Sequence, residues 1–183
     1  MRPFRRHRGR YTATFEAGEV AVLSDLLDQV RHLLAQRRAQ AAGTADPLAV
    51  MTGMVTGPSD APDDPALARL LPDFHRDDPV LSAGLRVLRE PGIVAGKDAA
   101  AVAVLDSLPR GGGTVHLSAE LAESWIAALN DIRLSMGVRL GITEDDREPP
   151  GVGDDPDGPA AAAYHVYRWL SAVQDSLVGV MLA

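Results

Sequence analysis

The hydrophobic residues of this chain recur mostly at steps of three and four, which is the spacing of one face of an α-helix. After Ala17 the pattern consists of Val20, Leu23, Leu27, Val30 and Leu34. It predicts a first long helix that ends at Gln36-Arg37-Arg38, where the cations suit the C-terminal end of the helix dipole. The repeat is too short to indicate a coiled coil, so this face is predicted to belong to the core.

The middle of the chain predicts shorter helices. One covers Leu67 to Leu71, and another begins at Asp78-Pro79, with Asp as N-cap and proline in the first turn. Pro91-Gly92 is predicted to end that helix, and Lys97 to Leu108 to form the next one. This order resembles a winged helix, but the last segment is mostly Ala, Val and Leu, whereas a recognition helix needs polar groups for base edges.

The last third of the chain predicts two longer helices. Ser118 is the expected N-cap of the first one, whose inner face is apolar. That face contains Leu121, Trp125, Leu129, Ile132 and Met136. The closing helix is predicted from about Ala160 to Leu182, on an apolar repeat of the same period.

Strands are predicted at two places. Residues 4–7 and 10–15 flank Arg8-Gly9, and their alternation of apolar and polar residues has the period of a half-buried strand, which indicates a short hairpin or a single edge strand. Residues 114–117 are also strand-like, and the N-terminal strand is their expected partner. The sequence therefore predicts a mainly α fold: one domain over residues 1–183, with five or six helices and a small antiparallel sheet. Two segments rich in Gly and Pro, about 43–65 and 143–159, are predicted to be flexible loops.

Composition limits the classes of function. The 183 residues are 46% hydrophobic and 23% charged, which fits a chain that buries a real core. No segment approaches the roughly 20 apolar residues of a membrane span, so a cytoplasmic location and no membrane association are expected. There is no cysteine, which excludes disulfides, thiolate catalysis and Cys-ligated zinc for this chain. The five histidines fall on different predicted elements, and no nucleophile motif is present, so no catalytic residue, metal or cofactor is predicted.

Charge is distributed unevenly along the chain. The first ten residues contain five arginines and no acid, whereas the whole chain has a formal net charge of −7. The arginines are Arg2, Arg5, Arg6, Arg8 and Arg10. Such an arm is a candidate for contact with nucleic acid phosphates. The alternatives are a solvated hairpin edge or an arm that docks on the chain's own acidic body.

Polar residues also interrupt the apolar helix that follows Ser118. They are Asn130, Asp131, Arg133 and Arg139, and Trp169 of the closing helix is grouped with them. One interpretation is a pocket or partner surface. The other is an internal network that joins this helix to the closing helix, because buried polar groups are costly unless they are hydrogen-bonded.

Nearly the whole chain resembles an actinobacterial family of domains of unknown function that includes the AosR-type oxidative-stress transcriptional regulators. The resemblance rests on the Arg-rich N-terminal strand with Phe15, the segment 74–78 (FHRDD), the segment 129–134 (LNDIRL) with 139–141 (RLG), and 167–170 (YRWL). The segment 129–134 is the most family-specific of these.

The resemblance implies a cytoplasmic transcription regulator that acts with DNA and an RNA polymerase sigma factor under oxidative stress. Members with that role are expected to sense oxidant through a cysteine pair, which this chain does not have. The resulting hypothesis is a regulator, not an enzyme, that works without cysteine-based sensing, with a homodimer left open. The alternative is a protein-binding adaptor without direct DNA contact and without catalysis.

Overall fold

The computed structural model describes residues 1–43, 55–143, 149, 151–153 and 155–183. Within these residues the chain forms a three-stranded antiparallel sheet and five helices, which confirms the predicted mainly α class. The strands are β1 (Arg2–His7), β2 (Arg10–Phe15) and β3 (Gly113–Leu117). The helices are α1 (Ala17–Gly43), α2 (Pro65–Leu70), α3 (Pro79–Ser107), α4 (Ala119–Leu140) and α5 (Pro159–Leu182).

The sheet has the order β1-β2-β3, with both pairs antiparallel. The N-terminal strands are therefore the partner of β3, as predicted. β1 and β2 form a hairpin whose two turn residues, Arg8 (φ 49°) and Gly9 (φ 76°), both have positive φ. Two-residue turns of this kind match the right-handed twist of the flanking strands.

The inner face of the sheet packs on α4. Phe4 and Phe15 place their rings 5.7 and 5.6 Å from the ring of Trp125, which is fully buried. The indole Nε1 of Trp125 donates a hydrogen bond to Ser107 Oγ at 2.9 Å, so its polar atom is satisfied. Helix α4 also contacts α1, α2, α3 and α5, which makes it the central element of the core.

The predicted helix N-caps are present. The side chain of Asp78 accepts a hydrogen bond from Leu81 N at the start of α3, and that of Ser118 accepts one from Leu121 N at the start of α4. These bonds satisfy backbone donors that have no partner inside the first turn.

The predicted break at Pro91-Gly92 is wrong, because α3 continues through it to Ser107. Proline has no N–H, so the carbonyl of Val87, four residues earlier, loses its partner within the helix. The backbone N–H of Gly57 donates to this oxygen at 2.8 Å. A donor from a distant segment thus binds the carbonyl oxygen that the proline leaves without a partner in the helix.

The predicted end of α1 is also wrong, because α1 continues to Gly43. Arg37 is not a terminal cation but lies inside the protein, with 4% of its surface exposed.

The predicted loops lie partly outside the described residues, which exclude 44–54, 144–148, 150 and 154. Residues 55–64 contain neither helix nor strand. In the ranges that are described, no helix has the length and apolar character needed to cross a membrane.

Candidate nucleic-acid interface

The outer face of the sheet is formed by basic and hydroxyl side chains. Because Tyr11, Ala13 and Phe15 of β2 point inward and are buried, the alternate residues of that strand point outward. The strand register aligns three rows on this side: His7 with Arg10, Arg5 with Thr12 and His116, and Arg2 with Thr14 and Thr114. None of these positions holds an acidic or a large apolar residue.

The threonines of the third row confirm this orientation. The Oγ1 atoms of Thr14 and Thr114 lie 3.0 Å apart and share a hydrogen bond across the β2–β3 pair. The outer face therefore presents arginines of β1 and of the start of β2 beside the hydroxyl groups of β2 and β3.

All five predicted arginines are exposed. Arg2, Arg5 and Arg10 belong to the outer face, whereas Arg6 pairs with Tyr11 and Arg8 lies in the turn. Within the part of the chain that the structure describes, none of their guanidinium groups forms an ion pair. Strand β1 itself packs against α5, and the N-terminal ammonium pairs with Glu19, but none of the five arginines pairs with an acidic side chain among these residues.

Arg8 has an unfavourable backbone conformation. Its φ of 49° lies in the left-handed region, which costs a residue with a Cβ about 1–2 kcal/mol. Asn, Asp or Gly normally occupies this position of a two-residue hairpin turn. The hairpin therefore keeps a cation at its tip at the expense of backbone strain.

Helix α4 carries the predicted polar residues Asn130, Asp131, Arg133 and Arg139. Of these, Arg133 contacts the closing helix α5. Its Nε donates to Ser171 Oγ at 3.0 Å and its Nη1 to Gln174 Oε1 at 2.6 Å. Its guanidinium also lies 5.5 Å from the centre of the Tyr167 ring. These contacts place Arg133 in an internal connection between α4 and α5.

The other members of the set point to different neighbours. Lys97 of α3 donates to Asp131 Oδ1 at 2.6 Å, and Arg139 Nη1 donates to Gln29 Oε1 of α1 at 3.0 Å. Burial raises the pKa of Asp131, while the ammonium of Lys97 opposes this shift. Asn130 is exposed. The structure therefore does not bring these side chains together in one pocket.

Trp169 lies at the other side of α5, beside the start of α1. Its Nε1 is buried and has no hydrogen bond of good geometry among the described residues. Glu19 lines the same cavity as Trp169. Its pKa is lowered: burial opposes the shift, whereas the N-terminal ammonium, the Glu16 N–H and the Trp169 indole favour it. Trp169 and the side chain of Arg133 thus lie on opposite sides of α5.

Sequence reasoning missed a buried charge cluster between α1 and α3. Glu90 accepts from Arg37 Nε at 2.6 Å and from Arg86 Nη1 at 2.7 Å. Arg37 also donates to the Asp60 carbonyl, and Arg86 donates to Asp73 Oδ1 at 2.7 Å. The spacing of Arg86 and Glu90 by four residues was the available signal, but it is also typical of a solvated helix face.

Among the described residues, no group of three or more His, Asp or Glu side chains is placed to hold a metal ion. The outer face of the sheet, by contrast, concentrates groups that donate hydrogen bonds to phosphate oxygens.

Comparison with known proteins gives consistent matches. A model of the family DUF2017, described as a domain of unknown function, matches residues 1–181. The oxidative stress regulator AosR of Mycobacterium tuberculosis H37Rv is 38% identical over 187 residues, which cover 94% of this chain and 83% of the relative. A protein with the same name in Mycobacterium bovis has the same values. The putative oxidative stress regulator AosR of Mycobacterium leprae is 36% identical, with 95% and 83% covered. No solved structure matches the chain.

Proposed function

The chain belongs to the DUF2017 family, and we propose that it is a transcription regulator that contacts nucleic acid through the outer face of its sheet and the hairpin tip. The observation that carries this proposal is the set of five exposed arginines without ion pairs in the described part of the chain. The names of the relatives, which describe oxidative stress regulators, favour a regulator over an enzyme.

Electrostatics supports the hairpin as the contact. The net charge of −7 makes the rest of the chain repel phosphate, so attraction depends on a local concentration of cations. Each phosphate that an arginine neutralises releases counterions, which favours binding at low salt.

The test is fluorescence anisotropy of labelled DNA at several salt concentrations. Arg5, Arg6, Arg8 and Arg10 are replaced by Ala in one variant. If each contacts one phosphate, the slope of log K against log salt becomes less negative by up to about 3.6 in the variant.

The matched control removes the same amount of charge outside the sheet. Arg69, Arg76, Arg89 and Arg168 are exposed, and no ion pair involves them in the described ranges. Their replacement by Ala leaves the slope nearly unchanged if the contact is local to the hairpin. An equal loss in both variants contradicts the proposal, since only overall charge would then matter.

This chain cannot respond to an oxidant through a thiol, because it has no cysteine. We propose that it regulates without being the thiol sensor. Treatment with a thiol-specific oxidant is expected to leave its DNA affinity unchanged.

A second candidate function is that of an adaptor that binds a sigma factor and does not touch DNA. The observation in its favour is that α3 exposes four large apolar side chains, Val80, Leu81, Leu88 and Ile93. Leu88→Glu is then expected to abolish binding to the purified sigma factor, measured by calorimetry. Unchanged sigma-factor binding in this variant contradicts a contact at that face.

A further inference from the structure

We infer that the outer side of α3 binds the same side of a second copy of this chain, with the two helices antiparallel. The inference concerns assembly and does not depend on a contact with nucleic acid. It follows from the spacing, the exposure, the sizes and the charges of the residues along this side of the helix.

Six residues on the outer side of α3 form an apolar seam with the period of a coiled coil. They follow one another at alternating steps of four and three: Leu81, Leu85, Leu88, Gly92, Ala95 and Ala99. At about 100° per residue, these positions lie opposite the buried side of the helix, which contains Arg86, Glu90 and Val94. A repeat of this period keeps a seam facing a partner helix along its length.

Most of the seam is exposed to solvent. Leu81 and Leu88 are 45% and 63% exposed, and Gly92, Ala95 and Ala99 are exposed as well. A methyl group at Gly92 would meet no described atom within 4 Å. The core of this chain therefore does not account for the pattern, and a partner that covers the seam would remove aligned apolar surface from water.

The sizes of the six residues make the seam complementary to itself. Its N-terminal half consists of leucines and its C-terminal half of glycine and alanine. Two copies that pack antiparallel about a two-fold axis near residue 90 place each leucine over a small residue of the other copy: Leu81 over Ala99, Leu85 over Ala95 and Leu88 over Gly92. A parallel pair would instead place leucine on leucine and leave space between the small residues.

This complementarity favours a second copy over the helix of another protein. A different helix would need the same gradient of sizes, whereas a second copy has it already. An isologous dimer uses one patch on both copies, so a single self-complementary seam is sufficient.

Charge supports the same partner. The chain has a net charge of −7, so two copies meet most readily at a face without charge, and none of the six seam residues is charged. Asp98 borders the seam and is neutralised by Arg31 and Arg38, each at 3.0 Å. Arg89 borders the opposite side near the axis and is exposed.

The size of the seam predicts a weak dimer. From Leu81 to Ala99 the helix rises about 27 Å, and two helices with small residues between them approach to roughly 8 Å. Such a strip is narrower than the interfaces of stable complexes, which bury about 800 Å² per partner. We therefore expect association that depends on concentration, with a Kd in the micromolar range.

The experiment is sedimentation equilibrium of the full chain over concentrations from micromolar to millimolar. We expect the average mass to rise from 19.4 kDa toward twice that value. Gly92→Glu places a charge opposite Leu88 of the other copy and is expected to weaken association at least tenfold. The matched control is Gly179→Glu on α5, another exposed helical glycine with no described atom within 4 Å of an added methyl group. It is expected to associate within twofold of the unsubstituted protein.

Two results overturn the inference. A chain that stays monomeric at the highest concentration does so and assigns the seam to a different protein, such as the sigma factor of the adaptor. Equal affinities of the two glutamate variants also do so, since the interface would then lie away from the seam. Arg89→Ala is expected to associate more tightly, because it removes like charges that approach each other near the axis. Weaker association of this variant contradicts the two-fold arrangement.

Orientation is tested with introduced cysteines, since the chain has none of its own. Leu81→Cys and Ala99→Cys proteins are mixed and oxidised with diamide, and circular dichroism checks that both are folded. In the antiparallel pair the two copies of position 81 lie about 27 Å apart along the helix, so the mixed disulfide is expected to form at least tenfold faster than either symmetric one. Faster formation of the symmetric disulfides overturns the antiparallel arrangement.

Discussion

Arginine has opposite roles in two regions of this molecule. At the hairpin, five arginines extend into solvent without an ion pair among the described residues. Between α1 and α3, Arg37 and Arg86 are 4% and 1% exposed and share the carboxylate of Glu90. The partners available to an arginine, and not the residue type, thus decide whether it holds the fold together or remains available to a ligand.

Removal of the shared carboxylate is expected to have the largest effect. Glu90→Ala leaves the buried guanidinium of Arg37 without a counter-charge and leaves that of Arg86 only the exposed carboxylate of Asp73, which costs about 3–5 kcal/mol in the free energy of unfolding. Urea denaturation measures this loss. A loss below about 1 kcal/mol contradicts the interpretation of the cluster as buried and paired. The DNA affinity of the protein that remains folded is expected to be unchanged, since the cluster lies apart from the hairpin.

A partly exposed pair is expected to show a smaller effect that depends on pH. Lys97→Met removes the cation from Asp131, which costs about 2 kcal/mol at neutral pH. Burial raises the pKa of Asp131, so the folded state takes up a proton at a higher pH than the unfolded state does. The loss of stability caused by Lys97→Met is therefore expected to shrink as the pH falls through the pKa of Asp131 in the folded protein. A deficit that is constant from pH 7 to pH 4 contradicts this prediction.

At the hairpin, a substitution of arginine is expected to act in the opposite direction. Arg8→Asn relieves the backbone strain of a positive φ, so the free energy of unfolding is expected to rise by about 1 kcal/mol. Thermal unfolding measures the rise, and Arg8→Lys is the control that keeps the strain. A decrease in stability would contradict the view that the tip is kept for a ligand and not for the fold.

The outer face is expected to show the smallest effect on stability. Arg5→Ala exposes no buried group and breaks no ion pair seen in the described residues, so its effect stays within about 0.5 kcal/mol. The slope of log K against log salt for DNA binding is expected to become less negative by about 0.9. A large loss of stability with an unchanged slope would make the hairpin equivalent to the interior cluster and remove the contrast between the two regions.

The sequence predicted the elements that depend on local patterns. The alternation of residues 10–15 predicted the strand, and the capping side chains Asp78 and Ser118 marked the starts of α3 and α4. Both of these signals depend on residues that are close together in the chain, which is why they can be recognised without a structure.

The sequence did not predict features that depend on distant residues. α3 passes through Pro91 because Gly57, more than thirty residues earlier, donates to Val87. The charge cluster needs Arg37 of α1 to reach Glu90 of α3, and no local pattern specifies such a pair. The polar residues of α4 suggested one network, but the direction of each side chain follows from the position of a different neighbouring helix.

The hydrogen bond between Gly57 and Val87 has a consequence for motion. It joins the two halves of α3 through a donor that belongs to neither half. If the segment around Gly57 detaches in a local opening, the carbonyl of Val87 loses its donor, and Pro91 is then the expected hinge between the two halves of the helix. The continuity of α3 therefore depends on two segments together, and amide exchange in the two is expected to be coupled.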